Sequence, residues 1–366
     1  MNLTFMTVGR FRKTVYFLKI CRGNGRRNPM ERCFKFGIIG CGLISHVHAA
    51  AIASLPQATL AGVSDNNRER AEAFAAQYGV CAYENTTKLL EDPDVDVVCI
   101  CTPSGFHAEG AQQALQHGKH VVLEKPMALT TESAKAVVES CKQYDCLLTV
   151  ISQWRFAPSF AYVKQLLDEK KLGNLVMCSL RMKYWREPTY YSESPWHGTK
   201  KFDGGGALMN QGIHGVDMLQ YLLGNAKVLQ GRTKTMYHNI EVEDTAAALL
   251  EFDNGALGVI EASTCTYPGF DRRWEIHGDR GYIVIQEDSI RELMIDGKYV
   301  EVPQLESAGV SSAADPGKLE YKNHAVQLQN LMDAICGKAE LRSSAEDGYR
   351  AVKLIEEVYI SSEQLA

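Results

Sequence analysis

Long apolar runs are missing from this 366-residue sequence, since no segment approaches the roughly 20 consecutive apolar residues that span a bilayer. An excess of positive charge is missing too, because 39 Lys and Arg residues face 44 Asp and Glu residues, a net charge of −5. This balance provides no general attraction to nucleic acids or anionic membranes. The two absences predict a globular protein whose partners include neither a nucleic acid nor a membrane.

Zinc-site and redox cysteine patterns are also absent, although the chain has eleven cysteines. No CxxC pair occurs, and no group of Cys and His residues has the spacing of a zinc site. Several cysteines, including Cys99 and Cys101, lie in apolar runs where a thiol behaves as a small hydrophobic side chain. We therefore expect no bound metal and a reducing, cytoplasmic location.

The first 29 residues differ from the rest of the chain, because they contain seven Lys or Arg residues and no acidic residue. A targeting peptide, a basic arm and a leader upstream of a natural start at Met30 are three interpretations of this composition. We favour the leader, since the apolar stretches are short and interrupted by basic residues. Residues 1–33 are accordingly expected to form an extension outside the fold.

From residue 34, short apolar runs alternate with amphipathic segments. FKFGIIG, TLAGVSD, VDVVCICTP, HVVLEKP and CLLTVISQ are strand-like, and helix-like segments such as NRERAEAFAAQYG separate them. Strands that alternate with helices of this kind form parallel sheets through right-handed crossovers. Residues 34–153 are therefore predicted to form a doubly wound, Rossmann-type dinucleotide-binding domain.

The second half has a different pattern, with several runs rich in β-formers such as DTAAALLEF and ALGVIEASTCTY, joined by the hairpin signal DNGA. Residues 154–318 are predicted to be an α/β domain whose mostly antiparallel, open sheet is covered by helices on one side. A loop is expected at 307–317. Residues 319–366 are predicted to form two amphipathic helices that pack back on the core, and the whole chain belongs to the α/β class.

The segment GIIGCGLIS, residues 37–45, follows the first strand and opens the first helix. Gly40 and Gly42 provide the tight turn that lets the backbone approach a pyrophosphate, and small Ser45 replaces the third glycine of GxGxxG. Asp65 ends the second strand, where a carboxylate accepts hydrogen bonds from ribose hydroxyls and repels a 2′-phosphate. The pattern favours NAD, with NADP as the alternative because Arg68 is near in sequence.

Two further segments carry polar side chains toward the predicted cofactor crevice. Lys125 ends the strand HVVLEKP, and ligands of doubly wound folds bind outside the carboxyl ends of strands. The segment GGGALMNQGIHGVD places Asn210, His214 and Asp217 at i, i+4 and i+7, the spacing of one helical face. A solvated face and a substrate-facing surface both fit this spacing. Its three consecutive glycines are interpreted as allowing close approach to a ligand, and Gly206, Gly212 and Gly215 as permitting close packing of the helix.

In combination, TPSGFH (102–107), GKHVVLEKP (118–126) and GGGALMNQGIHGVD (204–217) resemble the signatures of the Gfo/Idh/MocA family, the relatives of glucose–fructose oxidoreductase and inositol dehydrogenase. The resemblance extends over about residues 34–366. It implies a Rossmann domain followed by an α/β domain with an open sheet. It also implies NAD(P)-dependent oxidation or reduction of sugars, cyclitols or nucleotide sugars.

The same resemblance implies a set of cofactor-binding residues. These are Gly40, Gly42, Leu43 and Ile44 at the pyrophosphate, Asp65 and Arg68 at the ribose, and Thr102, Pro103, His107, Glu124, Lys125, Trp154 and Arg155 around the nicotinamide half. A cis proline often follows the family's lysine. No metal belongs to this set.

For catalysis, the resemblance assigns the acid/base role to His214 and contact with the reacting hydroxyl to Lys125. The family commonly has Asp four residues before this histidine, whereas this chain has Asn210, which can orient a hydroxyl but carries no charge. We expect Lys125 and His214 to lower each other's pKa, so that His214 stays neutral and accepts a proton. Expected substrate-binding residues are Lys125, Arg155, Tyr184, Arg186, Asn210 and His214.

Three function classes follow. A sugar, cyclitol or nucleotide-sugar dehydrogenase or reductase is the leading one. A glycoside hydrolase that uses NAD transiently and a non-catalytic dinucleotide sensor are the alternatives, and the presence of both Lys125 and His214 argues against the sensor. Because an open sheet face is usually covered, and because the resemblance suggests a partner subunit, we expect a homodimer or homotetramer formed through the C-terminal sheet.

Overall fold

The computed structural model describes residues 32–303, 305 and 321–365. The basic segment 1–29 and the loop expected at 307–317 therefore lie outside the described residues. In the described ranges, none of the helices combines the length and hydrophobicity that crossing a bilayer requires.

The first half folds around a six-stranded, wholly parallel sheet with strand order β3-β2-β1-β4-β5-β6. The strands are β1 (Phe34–Ile39), β2 (Ala58–Ser64), β3 (Cys81–Ala82), β4 (Val97–Ile100), β5 (His120–Leu123) and β6 (Leu148–Val150). The continuous apolar runs of β4 and β5 are buried because helices cover both faces of the sheet. This confirms the predicted Rossmann topology, in which the strand order reverses between β1 and β4.

The connecting helices follow local signals in the sequence. They are α1 (Leu43–Ala53), α2 (Arg68–Tyr78), α3 (Thr86–Glu91), α4 (His107–Gln116) and α5 (Thr131–Tyr144). The side chain of Asn67 caps α2 by accepting from the backbone N–H of Arg70, and Gly79 ends the helix with φ of 68°. Only β3 and α3 are absent from the predicted elements, because two and six residues are too short to show a hydrophobic period.

The second half contains an eight-stranded sheet with strand order β14-β13-β12-β11-β7-β10-β9-β8. Its strands are β7 (Leu175–Lys183), β8 (Ala226–Lys234), β9 (Thr245–Phe252), β10 (Leu257–Ser263), β11 (Arg273–Gly278), β12 (Gly281–Gln286), β13 (Ser289–Ile295) and β14 (Lys298–Tyr299). All neighbouring pairs are antiparallel except β7 with β10. The mostly antiparallel sheet, including the hairpin at 253–255, is as predicted.

The remaining helices are α6 (Pro158–Asp168), α7 (Pro188–Ser192), α8 (Ile213–Leu223), α9 (Lys322–Ile335) and α10 (Ala345–Gln364). Leu328 and Leu331 of α9 are buried in the core beneath α1, whereas Val352 and Ile355 of α10 are buried in the core shared with the second sheet. The C-terminal segment also covers the edge strand β6, since the Gln327 side chain donates to the Val150 carbonyl at 2.7 Å. An open strand edge is thereby paired.

The glycine-rich segment differs from the predicted regular helix. Ala207–Gly212 form a π-helical turn, and α8 begins only at Ile213. A π turn contains more residues than an α turn, so Asn210 lies outside the regular helix that carries His214 and Asp217. At Gly206 the structure gives the close packing expected there, because an added Cβ would lie 2.0 Å from the Glu243 carbonyl oxygen.

Candidate functional site

The turn between β1 and α1 contains two glycines, and glycine fits each position for a different structural reason. Gly40 has φ of +92°, and a Cβ there would lie 2.7 Å from the carbonyl oxygen of Cys101. Gly42 precedes α1 with an extended backbone, and a Cβ there would meet nothing within 4 Å. No side chain caps α1, so its first N–H groups and the positive end of the helix dipole are left for an anion. Ile44 lies half-buried in the first turn of α1, beside Leu43, which is 66% exposed.

We predict that Gly42→Val keeps the fold and weakens dinucleotide binding. Valine adopts the extended backbone of this position freely, but its side chain occupies the open space that the pyrophosphate needs. We expect the Kd for NAD, measured by isothermal titration calorimetry, to rise at least about tenfold, a loss of about 1.4 kcal/mol. The thermal unfolding midpoint should change little.

Gly40→Ala is the matched control, because it should lower the unfolding midpoint through strain at positive φ and contact with Cys101. Native affinity in Gly42→Val would show that the pyrophosphate lies elsewhere.

Asp65 directly follows β2 and holds the glycine turn in place. Its Oδ2 accepts from the backbone N–H of Cys41 at 2.8 Å, and its Oδ1 accepts from the N–H of Asn67 at 2.7 Å. The cation beside it is Arg70, at 3.5 Å. Arg68, the residue singled out from the sequence, instead donates to Glu72 and to the Tyr83 carbonyl.

The end of β4 adds a second group of predicted cofactor residues. The Oγ1 of Thr102 is buried and has no hydrogen-bond partner among the described residues, which suits a ligand at this edge of the sheet. The two ring nitrogens of His107 lie 2.6 Å from the Pro126 carbonyl oxygen and 2.8 Å from that of Thr102. His107 therefore ties the half-buried Thr102–Pro103 turn to the segment after β5 rather than presenting a free imidazole.

Lys125 emerges at the end of β5, and its bond to Pro126 is cis, as the resemblance implied. The half-buried ammonium donates to the backbone oxygen of Asn210 at 2.9 Å and to the amide Oδ1 of the same residue at 3.3 Å. Burial lowers the pKa of Lys125 and Arg186 lowers it further, whereas Glu124 and Asp203 oppose the shift. The structure thus brings Lys125 and Asn210 into direct contact.

His214 lies in the first turn of α8 and borders one small cavity together with Lys125. Burial lowers its pKa well below the ordinary histidine value, and the charge of Lys125 adds to this shift. The imidazole is therefore neutral at physiological pH and can accept a proton. Its ring centroid is 5.0 Å from that of Trp154, which also packs against the Arg272 guanidinium and the Trp274 ring.

Arg155, expected from the sequence to contact cofactor and substrate, forms a buried ion pair with Asp217. Arg155 is only 2% exposed, and its guanidinium donates to both oxygens of Asp217, at 2.9 and 2.5 Å. It also forms an ion pair with Asp347 of α10 at 3.2 Å. Because these carboxylates occupy its donors, Arg155 connects the turn at Gln153–Phe156 to α8 and α10 instead of presenting its guanidinium to a substrate.

Tyr184, a predicted substrate-binding residue, lies beside a second cation. Arg186 is 6% exposed, donates to the Gln211 side chain at 2.8 Å, and lies over the rings of Tyr184 and Tyr190 at 5.5 and 5.7 Å. Gln211 in turn donates to the Tyr190 hydroxyl at 2.8 Å. Gln211 follows Asn210 in the chain, so Arg186 and Lys125 contact consecutive residues of the π turn.

Sequence reasoning missed a buried cluster behind Lys125. His48 of α1 lies 2.8 Å from a carboxylate oxygen of Glu124, and the potential ligand atoms of His48, Glu124 and His324 all lie within 4.8 Å of one another. Although burial opposes it, the hydrogen bond and charge of His48 lower the pKa of Glu124 to about 2. The cluster joins α1, β5 and α9 as a buried ion pair. No local signal in LISHVHAAAIA distinguishes His48 from other helical histidines.

Comparison with known proteins identifies the family of this chain. Residues 34–152 match the family described as an oxidoreductase family with an NAD-binding Rossmann fold, GFO_IDH_MocA, and residues 160–284 match the GFO/IDH/MocA C-terminal domain. A scyllo-inositol 2-dehydrogenase (NAD(+)) of Bacillus subtilis (strain 168) is 31% identical, over 70% of this chain and 75% of that protein. An inositol 2-dehydrogenase of Rhizobium meliloti (strain 1021) is 28% identical, over 87% of this chain and 94% of that protein.

Among solved structures, the WlbA dehydrogenase from Bordetella pertussis, in complex with NADH and UDP-GlcNAcA, is similar over the whole fold. Its TM-score is 0.82 at 29% identity, covering 92% of this chain and 97% of that one. The open turn at Gly42 and the buried Thr102 hydroxyl suit the dinucleotide that the matched family binds. The chain belongs to the Gfo/Idh/MocA oxidoreductase family and is an NAD-dependent dehydrogenase with that family's Rossmann domain at residues 34–152.

Proposed function

We propose that this dehydrogenase of the sugar and cyclitol class acts on a secondary hydroxyl, with His214 as the acid/base and Lys125 polarising the reacting oxygen. The observation that carries the proposal is the pairing of a neutral imidazole with an ammonium group at one cavity beyond the carboxyl end of β5. An acceptor and a cationic donor placed together suit a hydroxyl that loses its proton as it becomes a carbonyl. When bound, NAD accepts the hydride.

The two side chains have separate tasks. His214 has a lowered pKa and therefore takes the hydroxyl proton as a neutral base, or returns it in the reductive direction. The carboxylates of Glu124 and Asp203 favour the charged form of Lys125. The ammonium stabilises the negative charge that develops on the reacting oxygen. Asn210 holds the ammonium in place and orients the substrate.

For the substrate, we propose a sugar, cyclitol or nucleotide sugar, and the charges of the site favour one with an acidic group. Arg186 and Lys125 place two cations around the π turn, while His214 adds no charge. Positive charge at a site favours a carboxylate or phosphate on the ligand. The inositol dehydrogenases support the cyclitol, and the UDP-GlcNAcA bound to the Bordetella pertussis relative supports the acidic nucleotide sugar.

We further propose that the cofactor is NAD rather than NADP and that the protein forms a homodimer or homotetramer through its open sheet. Asp65 at the end of β2 disfavours a 2′-phosphate. On the open face, Met177 pairs with Leu257, and Leu249 pairs with Val259, forming an apolar band flanked by ion pairs such as Lys183 with Glu261. Such a band suits burial against a second copy.

The first test follows nicotinamide absorbance with the full chain and with NAD or NADP. The substrates are scyllo-inositol, myo-inositol, levoglucosan and UDP-GlcNAcA, with chromogenic glycosides in parallel. Reduction of NAD by one substrate supports the proposal and identifies its class. Chromophore release without net reduction would instead indicate the hydrolase that uses NAD transiently.

We predict that His214→Asn lowers kcat by roughly 10²- to 10⁴-fold, the usual contribution of a positioned general base. The Kd for NAD, measured by calorimetry, should change little, because asparagine preserves much of the side-chain volume. His117→Asn is the control, since His117 is exposed just after α4 and its Nδ1 lies 2.8 Å from the Gln113 carbonyl oxygen of that helix. Unchanged turnover in His214→Asn would remove His214 from the mechanism.

A further inference from the structure

A carboxylate that no sequence motif singled out lies directly behind Asn210. Asp203 is 0% exposed and immediately precedes the three glycines. Its Oδ1 accepts from the amide Nδ2 of Asn210 at 2.6 Å, and its Oδ2 accepts from the backbone N–H of Gly198 at 2.8 Å. Both carboxylate oxygens are therefore directed by specific donors.

This contact determines which end of the Asn210 amide faces Lys125. Because Nδ2 is bonded to Asp203, Oδ1 points toward the ammonium, at 3.3 Å. A reversed amide would direct two donors at the lysine and lose the bond to Asp203. In this series of hydrogen bonds, Lys125 donates to the Asn210 amide oxygen and the Asn210 amide nitrogen donates to Asp203.

We propose that Asp203 is a positioning residue for Lys125: through the Asn210 amide it orients the ammonium and supplies the negative charge that position 210 lacks. The inference rests on the proposed function, in which Lys125 polarises the reacting oxygen. The inference also explains why Asn and not Asp stands at position 210 beside Asp203. An Asp at 210 would place two carboxylates within 2.6 Å of each other.

The surroundings of Asp203 act on its charge in both directions. Burial raises the pKa of Asp203 to about 7, and the nearby Glu243 carboxylate adds to the shift, while Gly198, Lys125 and Asn210 oppose it. The other titratable groups facing it are the hydroxyls of Tyr190, Tyr191 and Tyr359. In return, Asp203 raises the pKa of Lys125 against burial and against Arg186.

The first experiment measures the titration of Lys125 directly and needs no substrate. The full-length apo chain is labelled with trace acetic anhydride across a pH series, and mass spectrometry of the Lys125 peptide gives the pH midpoint of its reactivity. In Asp203→Asn we expect this midpoint to fall by about one pH unit, because a nearby opposite charge is removed. Asp253→Asn, which changes an exposed carboxylate, should match the native midpoint.

The second variant exchanges the two side chains, Asp203→Asn with Asn210→Asp. It keeps one carboxylate and one amide but places the carboxylate beside the ammonium, so the Lys125 midpoint should return to the native value or exceed it. It also tests the inference where Asp203→Asn alone does not fold. With a substrate identified above, kcat should fall at least about tenfold in Asp203→Asn, with little change in KM, and the exchange should restore most of it.

A native Lys125 midpoint in Asp203→Asn would overturn the inference, as would a midpoint below native in the exchanged variant. A loss of thermal stability with an unmoved midpoint would show that Asp203 is only structural. Failure of the proposed function is distinguishable, because it would appear as full turnover in a variant lacking Lys125 itself.

Discussion

Lys125→Ala is expected to lower kcat by roughly 10²- to 10³-fold, the effect of losing one preorganised donor at a developing oxyanion. The ammonium is held by two oxygens of Asn210 and faces the cavity that His214 also borders. Its removal leaves the negative charge on the reacting oxygen without a cationic partner. The change is measured as the rate of NAD reduction at saturating substrate.

The Kd for NAD in Lys125→Ala should change far less than kcat, since the turn at Gly42 and the Thr102 hydroxyl are untouched. Lys135→Ala is the matched control, because Lys135 is exposed on α5 and forms only a surface ion pair with Glu139. Lys125→Arg should not restore activity, since a planar guanidinium cannot replace a compact ammonium at this position. Native kcat in Lys125→Ala would contradict the proposed mechanism.

Arg155→Leu is expected to destabilise the protein by about 3–5 kcal/mol, the typical cost of leaving a buried ion pair without one partner. Arg155 is buried, and its guanidinium joins Asp217 of α8 to Asp347 of α10. Without it, two carboxylates lose their main donor while the surrounding packing remains. Urea unfolding followed by circular dichroism measures the loss.

Arg280→Leu provides the comparison, because its ion pair with Asp296 is exposed and should contribute little to stability. If Arg155→Leu unfolded at the native urea concentration but bound substrate weakly, the original assignment of Arg155 to the substrate would be favoured instead.

The stability that Arg155 provides is also expected to depend on pH. Although burial opposes this shift, Arg155 lowers the pKa of Asp347. The ion pair therefore contributes to the free energy of unfolding at neutral pH, and this contribution is lost as the pH falls below the ordinary range of aspartate.

The Rossmann half could be predicted because its signals are local and repeated. The runs FKFGII and VVCI are apolar along their whole length, and Asn67 and Gly79 mark the ends of α2. The second sheet was predictable in type but not in order. The sequence of β7 does not indicate its neighbours in the sheet, which are β10 in parallel on one side and β11 antiparallel on the other.

The candidate site was predictable where a motif carries the chemistry and unpredictable where a long-range partner decides the role. The segments that contain Gly42, Lys125 and His214 are recognisable in the chain itself. The glycine-rich helix was misjudged, because the carbonyl and carboxylate of Glu243 hold the N–H groups of Gly206, Ala207 and Leu208 and the chain takes a π turn. Glu243 is more than thirty residues away in sequence, beyond any local pattern.

The sequence alone determined the class of this protein, its dinucleotide-binding turn and the residue types available for proton transfer, because hydrophobic period and glycine position act over a few residues. Tertiary structure alone decided which polar groups meet. It placed Asp203 behind Asn210, His48 beside Glu124 and Arg155 between two carboxylates. A buried charge needs a partner within hydrogen-bond distance, and only the packing of distant elements determines which partner that is.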